Sequence, residues 1–113
     1  MECLFCKIAN GEIKTDFIYQ DEQVVAFSDI KPQAPVHVII IPRAHIEKMQ
    51  DTNDTHKQLL GNLLGVIPKI AKMKKVDKTG YRTVINCNED AGQAVFHLHA
   101  HLLGGRKFMW PPG

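Results

Sequence analysis

The chain has 113 residues, with 14 basic and 12 acidic side chains and a formal net charge of +2. This length predicts a single domain covering residues 1–113, because domains centre on roughly 100–150 residues. The nearly balanced charge argues against a nucleic-acid partner, which usually meets a clustered basic face. An interior apolar run such as residues 38–41 is far shorter than the roughly 18 residues of a membrane-spanning helix, so no membrane partner is expected.

The start of the chain and the cysteine count predict a cytoplasmic protein. Residues 1–4 have neither the basic stretch nor the apolar stretch of an export signal. In the cytosol, Cys3, Cys6 and Cys87 are expected to be thiols or metal ligands and not disulfides. Six histidines stand out against this ordinary composition, since three of them fall within five residues.

The N-terminal half predicts a short helix followed by three strands. Residues 3–10 have the helical pattern, and Gly11 is expected to end the helix. Segments rich in β-formers and bounded by polar or proline-containing turns predict strands at residues 17–19, 24–27 and 36–41. The first two strands form a hairpin. Pro42 is expected to end the third strand, and a short helical turn is expected at His45.

The C-terminal half predicts the main helix and two further strands. Apolar residues at helical spacing over residues 54–75 predict a helix that Pro68 kinks or splits. Lysines 69, 72, 74 and 75 near its end suit the helix dipole better than a nucleic-acid patch. Strands are predicted at residues 81–87 and 95–103. The fold class is therefore α+β, with about five antiparallel strands, one main helix and a short N-terminal helix.

His97, His99 and His101 alternate with apolar residues in the last predicted strand. Because the side chains of a strand alternate between its faces, the three imidazoles share one face and the apolar set packs on the core. That apolar set is Phe96, Leu98, Ala100 and Leu102. His37 has the same alternation within the strand predicted at residues 36–41.

Three interpretations of the histidine row are open on the residues alone. The first is a structural face of exposed or hydrogen-bonded histidines, and the second is a pure metal site. Successive histidines of one strand lie roughly 6.6–6.8 Å apart, too far for all three to reach one ion at about 2.0–2.1 Å. The third interpretation, nucleophilic and acid–base chemistry, is favoured because a neutral imidazole is a good nucleophile near pH 7.

The loop before the histidine row indicates phosphorus as the electrophile. Residues 86–93 contain a glycine and several amide side chains directly before the histidines. Backbone N–H groups of such a turn can hold a phosphate. The loop and the row together therefore predict a phosphate beside a nucleophile.

With these motifs the sequence resembles the histidine-triad (HIT) family, and the Hint branch in particular. The motif His-x-His-x-His carries the resemblance, together with blocks that extend over essentially the whole chain. These blocks are residues 5–8, 26–30, 32–37, 41–45 and 103–113, the last of which ends in Trp-Pro-Pro-Gly. The resemblance implies a HIT-like fold and a homodimer.

The resemblance also implies an enzyme that hydrolyses the P–N bond of purine nucleoside 5′-phosphoramidates of the AMP-amine or AMP-lysine type. A covalent nucleotidyl-histidine would form and then release AMP, and this chemistry needs no cofactor. Two alternatives stay open. One is a dinucleoside polyphosphate hydrolase of the sister branch, against which the ending Trp110 to Gly113 argues. The other is a nucleotide-binding or scaffolding protein with vestigial activity.

The residues that match the family's motif carry its roles. His99 would be the nucleophile, His101 would contact the phosphate, and His97 and His37 would support both. The implied nucleotide contacts are Phe5, Ile8, Phe27 and Ile30 at the base, Asp29 at the ribose, Asn86, Gly92, Gln93 and Ala94 at the phosphate, and Trp110 from the other subunit. Ala94 departs from the family's usual serine, so only its backbone N–H remains there.

Cys3 and Cys6 form a Cys-x-x-Cys pair, which by itself is ambiguous between zinc, redox chemistry and no function. A tetrahedral zinc needs two further ligands. Relatives with this pair imply a structural Zn²⁺ held by Cys3, Cys6, His45 and His97. The alternative is a helix with two small buried thiols beside a surface histidine.

Overall fold

The computed structural model describes residues 2–113, and none of the helices in that range has the length and apolar character needed to cross a membrane. The elements are α1 (Leu4–Ala9), β1 (Tyr19–Gln20), β2 (Val24–Ser28), β3 (Val36–Pro42), α2 (Lys57–Gly65), α3 (Ile67–Met73), β4 (Tyr81–Val84) and β5 (Ala100–Gly104). Two 3₁₀ turns, Met49–Asp51 and Asp54–His56, precede α2.

The five strands form one antiparallel sheet in the order β1-β2-β3-β5-β4. β3 and β5 are therefore neighbours at the centre, although most of the chain separates them. Their register pairs His37 with Leu103 and Ile39 with His101. This pairing brings the histidines of two distant segments together and confirms the predicted α+β class.

Each face of the sheet packs against different helices, as the alternation of side chains requires. On one face, α2 and α3 cover a core that includes Ile40, Leu102 and Ile70, all fully buried. On the other face, α1 packs over apolar residues that include Phe27 and Ile39. Positions 37 and 39 share a face of β3, and Ile39 pairs with His101, so the histidines lie on the α1 side.

The predicted helices occur with the expected interruptions. Cys3 caps α1, since its Sγ accepts a hydrogen bond from the Cys6 N–H at 3.3 Å. Gly11 follows the helix with φ +85°. Residues with a Cβ rarely adopt this conformation, whereas glycine adopts it readily. The predicted main helix is split at Val66, and Pro68 lies in the first turn of α3, where its missing N–H has no helical partner to lose.

The strand bounds differ from prediction wherever a partner strand is missing. β5 begins at Ala100 and not at residue 95, because the preceding backbone meets the 42–48 loop, where Leu98 N–H donates to Ile46 O at 2.7 Å. Phe96 is consequently 43% exposed, so the prediction that it packs in the core is wrong. β4 ends at Val84, which pairs with His101, and residues 85–87 continue past the last pair.

Two smaller predictions are also wrong in detail. β1 is the pair Tyr19–Gln20 and not residues 17–19, since its pairing with β2 begins at Tyr19 opposite Ala26. No helical turn lies at His45, and the first turn after β3 is the 3₁₀ turn Met49–Asp51. Residues 43–48, between β3 and this turn, are irregular. This irregular segment allows His45 to turn towards α1.

Candidate active site

A cavity of about 700 Å³ opens on the α1 side of the sheet. Its walls come from α1, the end of β2 and the loop before β5, and His99 and His101 lie in it. The predicted nucleotide-contacting residues that line it are Phe5, Ile8, Phe27, Asp29, Ile30, Asn86, Gly92 and Ala94. The fold therefore brings together residues that are up to about 100 positions apart in the chain.

His99 presents a free ring nitrogen to the cavity. Its Nδ1 lies 2.7 Å from the His97 carbonyl oxygen, which only accepts, so Nδ1 carries the proton and Nε2 carries a lone pair. Phe5 stands edge-on to the ring with centroids 5.1 Å apart and limits its rotation. Burial lowers the pKa of His99, although the bond to His97 and the charge of Asp29 act in the opposite direction. The ring is therefore neutral at pH 7 and able to act as a nucleophile.

His37 and His101 form a chain of hydrogen bonds with a defined direction. The Gln33 N–H donates to His37 Nδ1 at 3.0 Å, so the neutral ring carries its proton on Nε2. That nitrogen lies 2.8 Å from His101 Nδ1 and therefore donates to it. His101 is left with its proton on Nε2, the nitrogen available to a ligand in the cavity. This arrangement is suited to donating a hydrogen bond to a phosphoryl oxygen.

Burial keeps this chain uncharged. Burial first, and then the neighbouring His99 and His37, lowers the pKa of His101 to about 4. Burial also lowers the pKa of His37, against the raising effect of Asp29, whose Oδ2 lies 3.4 Å from His37 Nε2. Ligand atoms of Asp29, His37 and His101 lie within 4.8 Å of one another, but the proton on His37 Nε2 makes this trio a poor metal site.

An apolar slot beside the histidines fits a planar ring. Phe5 and Phe27 meet edge to face with centroids 5.6 Å apart, and Ile8 lies on the same wall. Ile30, at the mouth of the cavity, is 93% exposed. Asp29 lies beside the slot, where its Oδ1 accepts the Lys31 N–H at 2.8 Å and is thereby held in place. A carboxylate fixed at the edge of an apolar slot can accept hydrogen bonds from ligand hydroxyls.

The loop at residues 86–94 forms one wall of the cavity, although Gln93, which was predicted to contact the phosphate, does not line it. Gly92 adopts φ +80°, and Asn86, Gly92 and Ala94 line the cavity. The Gln93 side chain is buried, and its amide donates to Glu47 O at 2.8 Å and to Val95 O at 3.1 Å. The Gln93 amide therefore holds the loop in shape. The backbone N–H groups of Gly92 and Gln93 donate within the loop, to Glu89 O at 2.9 Å and to Asn88 O at 3.1 Å. The N–H of Ala94, which lines the cavity, is therefore the loop donor that suits a phosphate.

A second cluster lies behind the histidine row and joins α1 to it. Ligand atoms of Cys3, Cys6, His45 and His97 all lie within 4.8 Å of one another. His97 Nδ1 is 3.4 Å from Cys3 Sγ and 3.5 Å from Cys6 Sγ. His45 Nδ1 is 3.3 Å from Cys6 Sγ and 3.2 Å from His97 Nδ1.

These separations match a tetrahedral zinc site. Bonds of about 2.0–2.1 Å to nitrogen and 2.3 Å to sulfur place two nitrogens about 3.3 Å apart, and a nitrogen and a sulfur about 3.6 Å apart. His97 Nε2 donates to Pro42 O at 2.7 Å, which leaves its Nδ1 lone pair directed at the cluster. Burial first, and then the neighbouring Cys3 thiol, raises the pKa of Cys6 to about 11, so a metal ion must displace its proton. The two thiols and two imidazoles therefore fit Zn²⁺.

Some residues at the site were not predicted from the sequence. Lys14 and Thr15 line the cavity from an irregular segment, and Ser28 lines it from the last position of β2, one residue beyond the predicted strand. No motif or spacing in the sequence identified these three residues as part of the site. Gln33 acts on His37 through its main chain, which leaves no signature in the residue type. Trp110 was predicted to contact the nucleotide, but it is 81% exposed and is not among the residues that line the cavity of its own protomer.

Comparison with known proteins gives consistent matches. The HIT domain profile matches residues 10–108. The purine nucleoside phosphoramidase of Escherichia coli K12 is 47% identical over 105 residues, which are 93% of this chain and 88% of that protein. A HIT family hydrolase from Legionella pneumophila superposes with a TM-score of 0.96 at 49% identity, covering 99% of this chain and 100% of that one. The histidine triad nucleotide-binding protein of Candida albicans has a TM-score of 0.83 at 34% identity, over 97% and 83% of the two chains.

Proposed function

The chain belongs to the HIT domain family, and from this premise we propose that it hydrolyses the P–N bond of purine nucleoside 5′-phosphoramidates. One observation carries the proposal: His99 is neutral, holds its proton on Nδ1 against the His97 carbonyl, and offers Nε2 to a cavity that the loop at residues 86–94 also lines. The similar phosphoramidase of E. coli supports this class of substrate.

The proposed reaction has two steps. In the first, His99 Nε2 bonds to the α-phosphorus while the P–N bond breaks, and the amine leaves with a proton taken up from water. In the second, water attacks the phosphorus, the bond to Nε2 breaks, and the nucleoside monophosphate leaves as the water's proton is released. His101 Nε2–H donates to a phosphoryl oxygen in both steps, and the backbone N–H of Ala94 supplies a second donor.

The remaining site residues are assigned to binding the nucleoside. Asp29 accepts hydrogen bonds from the ribose hydroxyls, and Phe5, Ile8, Phe27 and Ile30 enclose the base. Asn86, Gly92 and Ala94 are assigned to the phosphate, Ala94 through its backbone N–H, while Gln93 holds the loop through its own hydrogen bonds. Trp110 has the exposure needed to reach the site of a second subunit.

We propose further that Cys3, Cys6, His45 and His97 hold a structural Zn²⁺. Four protein ligands leave no open position, so the ion would supply a cross-link and no chemistry of its own. The cross-link would tie α1 to the residue whose carbonyl orients His99. Because thiol ligands must stay reduced, this assignment favours a cytoplasmic protein.

The proposed assembly is a homodimer in which the C-terminal end of α3, near Lys75, and β4 form the symmetric contact. This strand ends the sheet, and an open strand edge tends to pair with another chain. Large apolar side chains near it are exposed, namely Met73 (54%), Tyr81 (37%), Met109 (73%) and Trp110 (81%).

Single-turnover kinetics with an adenosine 5′-phosphoramidate test the proposed function. We expect a burst of amine release, a nucleotidyl-protein trapped by acid quench, and then AMP. His99→Ala should abolish the trapped species and lower the rate by several powers of ten, as loss of a nucleophile does, with AMP binding retained. Preference for diadenosine polyphosphates would favour the sister activity, and AMP binding without turnover would favour a binding protein. Near-normal turnover by His99→Ala would contradict the mechanism.

A further inference from the structure

Two contacts hold the loop before His37 against the segment that follows β5. Arg106 Nε donates to the Gln33 carbonyl oxygen at 3.1 Å. Gly105, at φ +88°, lies so close to Pro35 that a Cβ added to it would stand 2.9 Å from Pro35 Cβ. The residues after β5 therefore fix the loop at two points, one polar and one steric.

Arg106 is itself held in one orientation by an aromatic ring. Its guanidinium carbon lies 4.2 Å from the Phe108 ring centroid, a cation–π distance. Arg82 approaches the same ring at 5.2 Å, and its Nη2 donates to Met109 O at 3.1 Å. Only Arg106, however, reaches the loop that contacts His37. Both arginines therefore contact the Phe108 ring, but Arg106 binds the Gln33 carbonyl and Arg82 binds the Met109 carbonyl.

The loop matters because the Gln33 N–H decides where two imidazoles keep their protons. With that donor on His37 Nδ1, the His37 Nε2–H points to His101 Nδ1, and His101 keeps its proton on Nε2. If the loop moved away, His37 Nδ1 could take the proton, and the bond to His101 would reverse. His101 Nε2 would then carry a lone pair in place of its proton. It would repel a phosphoryl oxygen and could no longer donate a hydrogen bond to it.

We propose that Arg106 is a positioning residue for the triad: by holding Gln33 it fixes His37 and His101 in the tautomers that leave a donor at His101 Nε2. Arg106 acts through two main-chain groups and two imidazoles, without touching substrate. Its kinetic consequence rests on the function proposed above, whereas its consequence for the tautomers does not.

The test combines ¹⁵N NMR of the histidine side chains with kinetics on the purified metal-bound protein. Long-range ¹H–¹⁵N spectra should place the proton on Nε2 of His37 and His101 in the unaltered protein. In Arg106→Ala, both rings should shift towards protonated Nδ1. kcat for an adenosine phosphoramidate should fall about threefold to tenfold, the size expected of one hydrogen bond, with KM little changed. Arg106→Lys, which keeps a hydrogen-bond donor, should partly restore both the original tautomers and kcat.

Arg82→Ala is the matched control, since it removes the other guanidinium from Phe108 and leaves the bond to Gln33. It should keep the tautomers and kcat of the unaltered protein. Gly105→Ala, which disturbs the loop through Pro35, should change the same signals as Arg106→Ala. Unchanged tautomers in Arg106→Ala, with or without a fall in kcat, would overturn the proposal. If the unaltered protein failed to cleave phosphoramidates, the proposed function would fail while the NMR result still decided the role of Arg106.

Discussion

At the scale of single residues, main-chain groups decide which nitrogen of each site imidazole carries its proton. The carbonyl of Pro42 fixes His97, the carbonyl of His97 fixes His99, and the N–H of Gln33 fixes His37. The alternation of three histidines was enough to predict a nucleophile at this place. The tautomers could not be predicted, because every residue type has the same main-chain carbonyl and nearly every one has the same N–H.

The half-buried, neutral state of His101 predicts a pH dependence of stability. Its pKa is about 4 in the folded protein and about 6.5 in an unfolded chain. Between these values the unfolded state binds more protons, so the free energy of unfolding should fall as the pH drops from about 6.5 to about 4. Urea unfolding at pH 7 and pH 5 measures this loss. His101→Asn should lose less between the two pH values than the unaltered protein, and an equal loss in both would contradict the assignment.

Ala94 lines the cavity at the position where the resemblance to the HIT family implies a serine, so this chain has no hydroxyl donor there. A hydrogen bond to a charged group contributes roughly 1.5–3 kcal/mol. If that bond strengthens in the transition state, Ala94→Ser should raise kcat/KM for an adenosine phosphoramidate by roughly tenfold to a hundredfold. AMP affinity should change little, because the substitution keeps the backbone N–H of residue 94 that is proposed to serve the bound phosphate.

Rapid-quench measurement of nucleotidyl-protein formation in Ala94→Ser checks this expectation. Ala91→Ser is a suitable control, since it adds a hydroxyl to an exposed position of the same loop that is not among the cavity-lining residues. Equal rates for Ala94→Ser and the unaltered protein would mean that the missing hydroxyl is irrelevant in this chain.

At the scale of elements, α1 links the two clusters of the site. Phe5 lies on the cavity side, against His99, while Cys3 and Cys6 face His97. The helix has only six residues, too few to be stable in isolation, so its position depends on these tertiary contacts. An ion bound by both thiols would therefore stabilise the wall of the nucleotide slot as well as the fold.

Removal of the proposed zinc should accordingly affect stability more than chemistry. Protein purified without chelator should contain about one zinc per chain, the occupancy of a closed four-ligand site. Stripping the metal with a strong chelator should lower Tm clearly and reduce kcat at saturating substrate less. Cys6→Ser should reproduce the loss of Tm, whereas Cys87→Ser, at a thiol outside the cluster, should not. Protein with less than about a tenth of an equivalent of metal would argue against the site.

The bounds of the elements were predicted most accurately where the sequence pattern of one segment determines its structure without a partner strand. The period of the apolar residues located α2 and α3, and Pro68 correctly indicated the split. Strand ends were less accurate, because a strand persists only as far as its neighbour. β5 starts five residues later than predicted, at Ala100, since the preceding residues meet the 42–48 loop and not a strand. Strand ends depend on pairing with residues that are distant in the sequence, so local patterns do not predict them.

At the scale of the whole molecule, the sheet order explains why the site forms and why β4 is one of the two edge strands of the protomer. Placing β5 between β3 and β4 brings His37 beside His101 and moves β4 to the end of the sheet. The resemblance to the HIT family implied that His37 supports the triad and that the protein is a homodimer, whereas the local patterns predicted strands without their order. The site lies in the middle of the sheet, so the open edge is free to serve a second copy.

The exposed edge predicts a dimer of about twice 12.7 kDa. Thr83 is an exposed residue of β4, so in a dimer paired along this strand two copies of the substitution Thr83→Glu would lie close together. Repulsion between like charges opposite each other on paired strands should shift Thr83→Glu towards monomer. Gln20→Glu provides the matched control, because it adds the same charge to an exposed residue of β1, at the opposite edge of the sheet. Light scattering at micromolar concentration should report dimers for the unaltered protein and Gln20→Glu, and a lower average mass for Thr83→Glu. A monomeric unaltered protein at that concentration would refute the dimer and leave the exposed Trp110 without a second site to reach.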